Sequence, residues 1–71
     1  MPETLVEMAE RHVREGRVRI GDQYARIDLW RHEGRSSLLL MEAERVLAFL
    51  RECQGFMEQL LSEIDELTAV E

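Results

Sequence analysis

A chain of 71 residues and 8.4 kDa has room for one small domain and one core. Its nine basic residues, all arginine, stand against fifteen acids, giving a net charge of −6. That balance argues against binding nucleic acid, which needs clustered positive charge. With 45% apolar and 34% charged residues, the chain has too much burial capacity for a disordered one and suits a charged, helical domain.

The N-terminal residues Glu3 and Glu7 stand where a signal peptide would carry basic side chains, and no apolar h-region follows. Uninterrupted apolar runs such as Leu38 to Met41 fall well short of the roughly 18 residues of a membrane span. With a single cysteine, Cys53, no internal disulfide is possible. A cytoplasmic protein with no membrane partner is the expectation.

Thr4 followed by Glu7 has capping-box spacing, so the first helix is predicted to run from about 5 to 33. Its heptads place Val6, Val13, Ile20 and Ile27 in one column and Ala9, Gly16, Gln23 and Trp30 in the other. Gly16 predicts close backbone approach or room for Met57 or Phe56, and Gln23 a buried polar register device. Gly34 and Ser36 mark a turn over 34–36.

The second helix is predicted over about 37–68, with fraying beyond. Leu39, Val46, Cys53, Leu60 and Leu67 form one seam column, and Ala43, Leu50, Met57 and Ile64 the other. Leu40, Leu47 and Leu61 flank the seam on one side, Phe49 and Phe56 on the other. The predicted fold is a single all-α domain over 1–71, two long helices in an antiparallel coiled-coil hairpin. Its core comprises Val13, Gly16, Ile20, Gln23, Ile27, Trp30, Val46, Leu50, Cys53, Met57, Leu60 and Ile64.

The second helix has more apolar width than the first can cover. Chains this small need a staple beyond one core. Pairing two hairpins into a four-helix bundle would bury the predicted oligomer interface, Leu40, Leu47, Phe49, Phe56 and Leu61. Residues 36–71 hold eight acids against two arginines, so a basic helix of another protein is an alternative partner.

Catalytic chemistry finds little support. No glycine-rich phosphate loop or nucleophile–histidine spacing is present. The residues three before His12 and His32 are Ala9 and Leu29, not the glutamate of a di-iron bundle. No cofactor is expected. The competing reading is a ligand- or metal-binding bundle using His12, Glu15 and Cys53. Arg19 and Arg26 flank the seam within reach of Phe49, Phe56 and Glu42, and are read as solvated flanking charges rather than a binding site. Trp30 and Tyr24 are expected in a core or interface.

The pattern His12-Val13-x-Glu15-Gly16-x-x-Arg19-Ile20-x-x-Gln23-x-x-x-Ile27, ending at Gly34, resembles that of small uncharacterised bacterial helical-hairpin proteins. It covers about a third of the chain, and Ser36-Ser37 departs from the group's Asp-Thr cap. The resemblance implies a hairpin and a bacterial source, and brings no functional residues. The expected function is that of a non-enzymatic protein–protein interaction or regulatory adaptor module acting as a homodimer.

Overall fold

The computed structural model describes residues 2–70, with the side chain of Val70 outside the description. Two helices make up the fold, α1 (Leu5–His32) and α2 (Ser37–Val70), packed antiparallel as a hairpin. The capping box starts α1: Thr4 Oγ1 accepts from the Glu7 N–H at 3.1 Å, and Glu7 Oε1 accepts from the Thr4 N–H at 3.4 Å. Two N–H groups that a first turn leaves orphaned are thereby satisfied.

Gly34, at φ 70°, closes α1 in the left-handed conformation. This lets the Gly34 N–H reach Arg31 O at 3.2 Å and the Arg35 N–H reach Trp30 O at 3.0 Å, the pair of bonds that ends a helix by reversing the chain. Ser36 then caps α2, its Oγ accepting from the Leu39 N–H at 3.2 Å. The turn therefore falls where the sequence places it. At the far end α2 stays helical to Val70 rather than fraying at Thr68, whose hydroxyl donates back to Ile64 O at 3.0 Å.

The molecule measures 54 × 23 × 13 Å. Thirteen ångströms is about one helix diameter, so the hairpin is a single layer and its seam can be covered from two sides only. The radius of gyration, 16.2 Å, far exceeds the roughly 11 Å of a compact chain of this length. The buried apolar residues are correspondingly small and few: Ala9, Val13, Ile27, Ala43 and Ile64. No helix among the described residues is long and apolar enough to cross a membrane.

Candidate interaction surface

The seam is held by two glutamines that reach across in opposite directions. Gln23 on α1 donates from Nε2 to the Ala43 carbonyl at 2.8 Å, and Gln54 on α2 donates from Nε2 to the Val13 carbonyl at 2.8 Å. A helical carbonyl keeps a free lone pair, so each accepts this bond in addition to its own ladder bond. Arg26 Nη1 donates to Gln23 Oε1 at 3.2 Å, and no buried side-chain polar atom is left without a partner among the described residues.

Gln54 was not foreseen, and it changes which side of α2 faces α1. The predicted seam alternated the Ala43 column with the Cys53 column. In the structure the Ala43 column alternates instead with Leu40, Leu47, Gln54 and Leu61. Gln54 is buried, and Leu40, Leu47 and Leu61 are half-buried along the same column. These three leucines, expected as oligomer contacts, are thus half-buried along the hairpin's own seam. Val46 is 47% exposed and Cys53 is exposed, so neither is a core residue of the single chain.

Gly16 explains the shift. A Cβ there would lie 1.8 Å from Gln54 Oε1, so the space a side chain would take belongs to the Gln54 carboxamide rather than to Met57 or Phe56. Of the other predicted core residues, Val13, Gln23, Ile27 and Ile64 are buried. Ile20, Trp30, Leu50, Met57 and Leu60 are half-buried.

The two long edges of the seam differ. On one, Arg17 pairs with Glu58 at 3.6 Å and Arg31 with Glu44, so ion pairs bridge the helices. Tyr24 shares the α1 column of these arginines and is exposed. On the other edge the Cys53 column is followed outward by Glu42, Phe49, Phe56 and Glu63. Here Phe49 is 64% exposed, Phe56 67% and Leu67 70%. Other exposed apolar residues, such as Val18 and Met41, lie on the backs of the helices.

Arg19 and Arg26 border this open edge from α1 without covering it. Arg26 turns to Gln23 and lies 6.0 Å from the Trp30 ring centroid, and although it lines one hollow with Glu42 the two form no ion pair. Glu42 pairs with Arg45 at 3.4 Å. His12 and Cys53 line one shallow hollow with Gly16, Arg19 and Met57, while Glu15 is held by Arg11 at 3.3 Å. No three His, Cys, Asp or Glu side chains among the described residues are grouped to hold a metal ion. His32 closes the last turn of α1, its Nδ1 2.9 Å from Asp28 O.

Comparison of the chain with family models, with curated proteins and with solved structures returns no match.

Proposed function

We propose that the chain is a non-enzymatic protein–protein interaction module, a regulatory adaptor that acts as a homodimer through the open edge of α2. One observation carries this reading: Phe49, Phe56, Val46 and Leu67 lie exposed on one side of a single helix, beside a seam whose other edge is bridged by two ion pairs. Aligned apolar side chains of this kind mark an association site rather than a solvent face.

Surface area supports it. The chain exposes 5656 Å², against about 4,600 Å² for a compact monomer of its mass. The excess is similar to the roughly 800 Å² that each partner contributes to a standard interface. A reducing cytoplasm suits the reading, since exposed Cys53 stays a thiol there.

The test is sedimentation of the wild type and of a Phe49→Ser/Phe56→Ser variant at about 100 µM. The expected result is a dimeric wild type and a variant that is monomeric yet helical, since neither ring packs in the hairpin seam. A wild type that sediments as a monomer rejects the homodimer.

A further inference from the structure

We propose that the second copy docks antiparallel, α2 against α2 and α1 against α1, about a two-fold axis that crosses the hairpin at right angles beside Cys53. This rests on the homodimer reading above and supplies its geometry.

The open columns of α2 read almost the same in both directions. Leu39, Val46, Cys53, Leu60 and Leu67 reverse about Cys53 with only valine and leucine exchanged. Glu42, Phe49, Phe56 and Glu63 reverse about a point half a residue away. Turning a second copy end for end therefore sets Phe49 against the partner's Phe56, Val46 against the partner's Leu60 and Cys53 against its own copy. This continues for about 42 Å of helix. Glu42 approaches the partner's Glu63, and Arg45, already 3.4 Å from Glu42, lies beside both.

The open side of α2 is about 100° round the helix from the side that meets α1. The same two-fold axis therefore brings α1 beside its own copy and closes a four-helix bundle. The columns of α1 that meet there complement each other under the same reversal. Glu15 faces the partner's Arg19, His12 the partner's Asp22, and Leu5 the partner's Leu29. This second pattern centres on Arg17. Gly16 and Cys53 line one hollow across the seam, so the centres on the two helices fall at the same level and one axis serves both.

Charge separates this arrangement from the parallel one. In α2 the residues up to Cys53 carry Glu42, Glu44 and Glu52 with Arg45 and Arg51, whereas those beyond carry Glu58, Glu63, Asp65 and Glu66 and no basic residue. A dimer with its two α2 helices parallel stacks the acidic half on itself. The antiparallel dimer sets the acidic half beside the arginines and opposes the dipoles of the two α2 helices.

The test attaches a spin label in the exposed turn, as Arg35→Cys in a Cys53→Ser background, and measures the distance between labels in the dimer. An antiparallel pair of rods 54 Å long puts the two turns at opposite ends, about 50 Å apart. Labels within about 25 Å overturn the geometry while leaving the homodimer standing; a monomer overturns both.

A second measurement tests α1. His12 and Asp22 lie about 15 Å apart along one helix and can meet only between copies. Asp22→Arg is expected to raise the dimer dissociation constant about tenfold, since each pair occurs twice, and His12→Glu in the same chain to restore it. An unchanged constant overturns the α1 register.

Discussion

Gly16 and Gln54 act as one unit across the seam, although 38 positions separate them in the chain. A methyl group at position 16 occupies the place of the Gln54 carboxamide and breaks its bond to Val13 O. Alanine gains about 1 kcal/mol over glycine in a helix interior, while loss of a buried amide's partner costs about 1–3 kcal/mol. Gly16→Ala is therefore expected to destabilise the protein. In a Gln54→Ala background, where the space is vacated, the same substitution is expected to stabilise it by about 1 kcal/mol. Denaturant unfolding of the four proteins in this cycle checks that reversal of sign.

The N-terminus of α1 is fastened by charge as well as by its cap. Arg11 Nε donates to Glu3 Oε2 at 3.0 Å across two turns and also reaches Glu15. This bond holds the Glu3 carboxyl below its ordinary range and raises the Arg11 guanidinium, the like-signed charges of His12 and Arg14 assisting on Glu3. Because the folded chain lowers the Glu3 value, the contribution is present above the carboxyl's unfolded value and is lost as pH falls through the folded one. Carbon-detected titration of Glu3 is expected to give a lowered midpoint that returns to the ordinary carboxylate value in Arg11→Ala.

How far each helix is legible in the sequence differs for a physical reason. In α1 a single pair of columns is apolar, and Val13, Gln23 and Ile27 are buried along it. In α2 the Ala43 column has apolar neighbours on both sides, so two heptad frames compete. The frame containing Gln54 looks weaker because it carries an amide among leucines. It prevails because Gly16 leaves that amide a place and Val13 O gives it an acceptor. Which edge of α2 stays open depends on this choice, and with it the assignment of Leu40, Leu47 and Leu61. Of the five expected interface residues, only Phe49 and Phe56 lie outside the seam in either frame.

At the scale of the molecule, a layer one helix thick cannot hide a side chain on every side. Its stability then depends on what covers the open edge. If a second copy does, association and folding are linked by mass action, and Tm is expected to rise by several degrees between about 2 and 200 µM protein. Thermal unfolding followed by circular dichroism reads this directly; a midpoint independent of concentration contradicts it.

The two crossed glutamine bonds also act on sliding. They lie about 16 Å apart along the hairpin and point opposite ways, like teeth set into facing racks. A slip of one heptad would put Leu50 in the place of Ala43 and Gln23 in the place of Gly16, filling the space through which each carboxamide reaches its carbonyl, at about 1–3 kcal/mol for each bond lost. Greasy contacts alone would forgive such a shift, and the amides do not, so the hairpin favours one register.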